Sequence, residues 1–146
     1  MRDTEQIHQE LDILVEITEI LTGHSPFLEK CDAVLTVLAR FTDSDLVTLR
    51  EFDADESTLN LIAYYFHEVR GERFKVPQSV TTSLSAKALD ENAPLLIDDY
   101  STFGYRHQGY ANLGMNSAVA IPIHVDGELF GAIGFGSRSV AITKRR

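Results

Sequence analysis

The chain holds one cysteine, Cys31, among 146 residues. A lone thiol cannot close an intrachain disulfide or supply an all-cysteine metal site. It falls between Leu28 and Val34 at helical spacing, where a cysteine packs as a small apolar residue. Positive charge is also scarce: thirteen Lys and Arg stand against twenty-two Asp and Glu, for a formal charge of -9. Phosphate contacts need clustered cations, so no nucleic acid is expected as a partner, and no anionic membrane surface. The basic cluster Lys144-Arg145-Arg146 reads as a solvated tail. No apolar run approaches the roughly 20 residues of a membrane span, and no basic start leads into an apolar segment. The chain is expected to be cytoplasmic.

Catalytic and metal-binding patterns are missing too. There is no Gly-x-Ser-x-Gly elbow, no phosphate-binding glycine loop with lysine and no His-Glu-x-x-His. Gly131, Gly134 and Gly136 lie inside a strand pattern with no helix after it, which is not a nucleotide fingerprint. His24, His67 and His124 share no zinc spacing, His8 sits near the start of a helical segment facing solvent, and no loop carries a calcium pattern. The pair Asp98-Asp99 could act as acid and base, but no partner lies nearby in sequence. Neither a metal nor an enzyme activity is expected.

What remains is an ordinary globular composition, 44% hydrophobic and 24% charged, at the length of one domain. Residues 3–22 follow a helical period that ends at Gly23, a candidate left-handed cap. At 100° per residue Ile7, Leu11, Leu14, Val15 and Leu21 form one apolar stripe, and Ile13, Ile17 and Ile20 form a second. The pair of stripes predicts either a deeply buried helix or one that also meets a second chain, a homodimer through Ile13, Ile17 and Ile20. Ser25 is placed to cap a second amphipathic helix with Pro26 at its first position, presenting Phe27, Leu28, Cys31, Val34, Leu35, Leu38 and Phe41.

From residue 45 the period changes to two. Residues 46–52 and 58–66 predict an antiparallel hairpin across a turn-rich segment. Residues 71–78 predict a polar loop with a short strand around 74–76, and 83–91 a short helix with Leu84, Ala88 and Leu89 inward. Residues 95–97 predict a short strand after Pro94, and 98–113 a polar and aromatic loop. Residues 116–125 and 128–136 flank Asp126-Gly127, a strong hairpin signal. Pro122 inside that strand predicts a bulge or a strand edge. Helices first and strands after make the class α+β.

Three stretches in this order carry a resemblance: 88–99 with Pro94 and the acidic pair, 116–123 with Pro122, and the hairpin 126–135. Together they are similar to the middle, penultimate and final segments of GAF domains, over about residues 5 to 138. GAF domains are regulatory modules of histidine kinases, diguanylate cyclases, phosphodiesterases, phytochromes and transcriptional activators. The resemblance implies a PAS-related antiparallel sheet of five or six strands, with helices on one face. On the other face it implies a ligand pocket roofed by residues 83–89 and 98–113. It divides the chain into a sensory domain, 1–138, and a short basic tail, 139–146, without the output helix that follows the last strand in the family.

The implied ligand is a small molecule, met by Tyr64, Leu84, Asp98, Asp99, Tyr100, Phe103, Tyr105, His107, Tyr110 and Ser117. The rings could stack on it and the aspartates accept from it. Equally, the rings could plug the space over the sheet while the aspartates cap turns. Departures from the family set expectations about cofactors. No cysteine lies in the roof, so no covalent bilin is expected. The cyclic-nucleotide signature is missing, His107 lacks the spacing of the haem-binding members, and one cysteine does not suit the methionine-sulfoxide reductases. The implied role is a sensor within a two-component histidine kinase or similar protein. The alternative is a dimerising module that binds no ligand.

Overall fold

Asp3 starts the first helix by accepting from the Gln6 amide at 2.8 Å, while the Gln6 side chain accepts from the Asp3 amide at 3.2 Å. This reciprocal cap satisfies two of the orphan donors every helix start exposes. A computed structural model describes residues 3–68 and 74–138 of the chain. Helix α1 (Thr4–Thr22) ends at Gly23, whose φ of -72° is not the left-handed cap expected of it. Helix α2 (Phe27–Thr42) begins at Pro26, whose carbonyl accepts from the Lys30 amide at 3.0 Å. Ser25 therefore lies outside the cap, a correction to the expected assignment. The left-handed caps are instead Asp43 at the end of α2 and Asn92 further on, with φ of 56° and 51°.

Strands β1 (Leu46–Asp53) and β2 (Thr58–Phe66) form the expected hairpin. The Asp53 carboxylate nucleates its turn, accepting from the amides of Asp55 and Glu56 at 3.0 and 3.2 Å. The short strand expected at 74–76 sits later, as β3 (Ser79–Val80) on β2. Pro77 has no amide to give to a ladder, so pairing starts beyond it. Helix α3 (Leu84–Glu91) is capped by the Ser83 hydroxyl, which accepts from the Ala86 amide at 3.1 Å. Strand β4 (Leu95–Ile97), a 3₁₀ turn (Tyr100–Thr102) and helix α4 (Gln108–Asn112) follow. Strands β5 (Ser117–Val125) and β6 (Glu128–Ser137) join through Asp126 and Gly127, both at positive φ, as a type I′ turn requires.

All six strands pair antiparallel in the order β3-β2-β1-β6-β5-β4, so the class is α+β as expected. β4 reaches β5 only between Ala118 and Ala120. Pro122 thus lies where β5 is an open edge, and its missing N–H leaves no β4 partner unpaired. The bulge comes one step later, between Ile123 and His124.

Alternation along β1 and β6 sends side chains to the two faces of the sheet. Val47 and Ala63 meet Leu35 and Ala39 of α2 on one face. Leu46, Ala118 and Ala120 meet Leu84 and Ala88 of α3 on the other, with Tyr100 and Met115. Helix α2 packs on β1 and β2, and α1 packs on α2 rather than on the sheet. No residue of α1 is buried, which overturns the expectation of a deeply buried helix. Its half-buried side carries Ile13, Ile17 and Ile20, toward α2, and Glu16 on that flank holds Arg40 of α2 at 2.6 Å. The stripe facing outward is the other one, Ile7, Leu11, Leu14, Val15 and Leu21, with Leu14 60% exposed. Phe27, Leu28 and Phe41 of α2 are exposed as well. The expectations about a basic tail and a missing output helix concern residues 139–146, which lie outside the described residues.

The centre of the sheet has one position that only glycine fits. A Cβ on Gly131 would stand 1.9 Å from the Arg50 carbonyl oxygen, a backbone atom that cannot step aside without breaking the β1–β6 ladder. Gly131→Ala should cost about 3 kcal/mol or more of unfolding free energy. Denaturant unfolding followed by far-ultraviolet circular dichroism checks this, and a loss under about 1 kcal/mol would show that the two strands yield there.

Candidate functional site

Leu46, Thr48 and Arg50 alternate onto the roof-side face of β1. Beside them β6 presents Gly134 and Gly136, and β5 presents Ala118 and Ala120. These small residues leave a hollow in the sheet surface instead of filling it. Gly134 is needed for closeness: a Cβ there would meet Thr48 Oγ1 at 3.0 Å and Ser85 Oγ at 3.2 Å. The hollow is closed from above by Ser83, Leu84 and Ser85 at the start of α3, and by Tyr100, Tyr110 and Met115. It is a cavity of about 60 Å³. At roughly 10–15 Å³ per water-sized sphere it holds several waters, or a ligand of a handful of heavy atoms. A wider surface groove of about 300 Å³ runs along the flank of α3 beside Phe52, Thr58 and Leu129, and its one charged group, Asp90, is exposed.

The strongest group in the cavity wall is Arg50, only 2% exposed. Its Nη1 donates to the carbonyls of Leu59 and Gln78 at 3.3 and 3.4 Å. Its Nη2 donates to the Pro77 carbonyl at 2.8 Å and to the Tyr110 hydroxyl at 3.4 Å. Burial pushes the Tyr110 phenol up, against the opposing pull of the Arg50 charge. The Tyr100 phenol is likewise raised by burial, and its oxygen accepts from the His107 amide at 2.6 Å.

His107 lies one step behind the wall, with its ring 4.7 Å from that of Tyr110. Burial lowers its pKa and the Arg50 charge lowers it further. Its Nδ1 accepts from the Gly109 amide at 3.1 Å and caps α4, a role open only to the neutral ring.

Of the residues predicted to meet a ligand, Leu84, Tyr100 and Tyr110 line the cavity. Phe103 packs between Tyr100 and Tyr105 behind the wall, at 6.0 and 5.7 Å. Tyr105 is exposed, with the Lys87 ammonium 5.0 Å above its ring. Asp99 caps the 3₁₀ turn, accepting from the Ser101 amide and hydroxyl at 3.1 and 2.5 Å, and Asp98 is exposed. Tyr64 shares the cavity's side of the sheet but stands outside it, 49% exposed. Ser117 is fully buried, yet its place in β5 puts it on the opposite face, with Val119 and Ile121. Ser83 and Ser85 lie in the expected roof segment 83–89, whereas sequence reasoning missed Thr48, Arg50 and Met115. The signal for Arg50 was present: the two-residue period of β1 sets it on the same face as Leu46 and Thr48.

Cys31 borders the core under α2, on the far side of the sheet from the cavity, and burial raises its thiol pKa. Among the described residues no group of three or more His, Cys, Asp or Glu is placed to hold a metal ion. Among them, too, no helix is long and apolar enough to cross a membrane.

The model of the family described as GAF domain matches residues 28–144. No curated protein matches the sequence. Solved structures resemble the fold. The nlh2 GAF domain of A. aeolicus in an inactive state is 23% identical, with a TM-score of 0.69 over 88% of this chain and 78% of that one. The free methionine-R-sulfoxide reductase of Neisseria meningitidis, in complex with its substrate, is 13% identical, with a TM-score of 0.74 over 94% and 77%. The GAF domain of a phosphoenolpyruvate-protein phosphotransferase from Coxiella burnetii is 18% identical, with a TM-score of 0.70 over 89% and 78%. At these identities the likeness is one of fold.

The His107 cap makes stability depend on pH with a definite sign. A folded-state pKa below the ordinary 6.5 means the unfolded chain binds the extra proton first. The stabilisation is complete above 6.5 and is lost as pH falls below it toward the depressed folded value. His107→Asn keeps a capping acceptor without a proton to gain. Its unfolding free energy should fall less steeply than that of the parent on acidification from neutral pH. Equal slopes in the two proteins would mean His107 is not held neutral by the fold.

Proposed function

The chain belongs to the GAF domain family, and we propose that it is a regulatory domain sensing a small molecule within a cytoplasmic signal-transduction protein, a two-component histidine kinase or similar. The observation that supports this reading is the cavity itself. An apolar hollow with a few convergent polar groups, under a short helix and a loop, is how small-molecule sites are commonly built.

A ligand there would favour one arrangement of the roof over another, and only the difference in affinity between the two can drive the shift. The roof is joined to the rest at a few points. Arg138 at the end of β6 donates through Nε to the Leu113 carbonyl at 3.0 Å, and its amide donates to Asp45 at 2.8 Å. Roof movement would therefore bear directly on the end of the central strand β6.

We read the domain itself as non-catalytic. The thiol of Cys31 lies across the sheet from the cavity, where a sulfoxide in the cavity could not reach it. Neither bilin, haem nor a cyclic nucleotide is proposed as its ligand. The partner surface is assigned to a second copy, through the outward stripe of α1 rather than through Ile13, Ile17 and Ile20. Large apolar side chains in a continuous exposed stripe mark contact surfaces.

The competing reading, a dimerising module without a ligand, draws support from the small cavity and the buried Tyr100 ring. Ala118→Leu separates the two, since it fills the cavity from the sheet side. A thermal-shift panel of small metabolites should contain a compound that raises the parent's unfolding temperature and leaves the variant's unchanged. At about 100 times its Kd such a ligand stabilises by about 2.7 kcal/mol. A variant that is more stable, with no compound shifting the parent, favours the ligand-free module.

The dimer is tested separately. Leu14→Glu should reduce the mass in light scattering from two chains to one with unchanged helix content. A parent that is already monomeric at high concentration rules the α1 interface out.

A further inference from the structure

We propose that the cavity accepts a small organic anion, with the Arg50 guanidinium and the first amides of α3 as the partners of its oxyanion. This rests on reading the cavity as a ligand site, and adds the charge and size of what it takes.

Arg50 lacks a charge partner among the described residues. A guanidinium has five N–H groups. Those on its two terminal nitrogens go to three backbone carbonyls and one phenol, all of them neutral. Among the described residues the Nε–H has no acceptor and no carboxylate pairs with the charge. A cation this buried is ordinarily paired. Here it lines the cavity unpaired.

A second feature of the same wall is independent of it. The Ser83 hydroxyl takes the Ala86 amide, which leaves the amides of Leu84 and Ser85 to open the eight-residue helix without an acceptor. Helix starts of this kind favour anions, through the free amides and the aligned peptide dipoles. Arg50 and Ser83 to Ser85 thus put positive potential on two sides of one hollow.

The rest of the lining is apolar, from Leu46, Val80, Met115, Ala118 and Ala120. An oxyanion on a short hydrocarbon body matches this arrangement. The volume of about 60 Å³ restricts that body to a few carbons unless the roof lifts. A carboxylate and a phosphate share the chemistry, so both belong in the test.

The experiment titrates the protein with butyrate, with its neutral isostere butyramide, and with inorganic phosphate. Binding is read by calorimetry and by the nuclear magnetic resonance signal of the Arg50 Nε–H, which needs no variant. Butyrate should bind more than about tenfold tighter than butyramide and shift that signal. Phosphate binding as tightly as butyrate would identify the oxyanion rather than the carbon chain as the recognised part.

Arg50→Met should reduce butyrate affinity by more than about tenfold, Arg50→Lys should restore part of it, and Ala118→Leu should abolish it. Thermal unfolding of each variant confirms that it is folded. Butyramide binding as well as butyrate, with Ala118→Leu abolishing both, overturns the anion while leaving the ligand site standing. Binding that survives Ala118→Leu overturns the ligand site as well. No response of the Nε–H to either acid overturns the anion outright.

Discussion

The placement of one charge, that of Arg50, organises the roof side of the molecule. Taking a guanidinium out of water costs several kcal/mol even after the surroundings relax. Each hydrogen bond to it returns about 1.5–3 kcal/mol. The acceptors available are the Leu59 carbonyl on β2, the Pro77 and Gln78 carbonyls before β3, and the Tyr110 hydroxyl on α4. Satisfying the charge therefore draws three separate segments over the face of β1. The same charge helps keep His107 neutral, and so able to cap α4. Removing it would loosen the sheet edge and the roof together.

The two faces of the sheet use opposite means to reach a packed state. Under α2 the strands offer Val47, Ala63, Ile133 and Phe135, and the helix fills the remaining space with Leu35, Leu38 and Ala39. Facing the roof they offer glycine and alanine at four neighbouring positions of β5 and β6. A roof of one short helix and a loop cannot fill that space with side chains to the density of the other side. The cavity is the consequence of small residues meeting a thin cover.

Period and turn chemistry made most of the fold legible in the sequence. The hairpin at Asp126-Gly127, the hairpin of β1 and β2 and the short helix after Ser83 follow from local rules that the tertiary structure leaves intact. The helix ends at Gly23 and Ser25 misled, because a residue suited to a cap need not occupy one when the chain turns in extended conformation. The site was legible in outline and not in detail. Rings concentrated in residues 98–113 mark the roof, yet Phe103 and Tyr105 serve its outer layer and only Tyr100 and Tyr110 reach inward. Ser117 does not meet the cavity, and the sequence could not show this because a strand buried on both sides has no alternation to fix its phase. Arg50 was overlooked because a charge in a strand is usually a solvent-facing one. Only its partners, distant in sequence, show that it is buried.

Cavity and outer helices lie on opposite sides of the sheet, and this limits how one can influence the other. Helix α3 packs on β5 and β6, whereas α2 packs on β2 and β1, with α1 beyond it. The principal route between them crosses the seam where β1 pairs with β6. At that seam Arg50 stands opposite Ala132, beside Glu51 opposite Gly131, with the Arg50 carbonyl against the Gly131 backbone. No side chain separates the two strands there, so a displacement of β1 at Arg50 cannot be absorbed by a rotamer change. It has to be passed to β6, or along β1 to Val47 and the α2 core. On the α2 side, where Leu35 and Ala39 pack on Val47 and Ala63, close packing leaves little free volume to take such a shift up. The residue that meets the cavity is thus held on the strand that also carries the α2 core, by backbone contact rather than by a chain of mobile side chains.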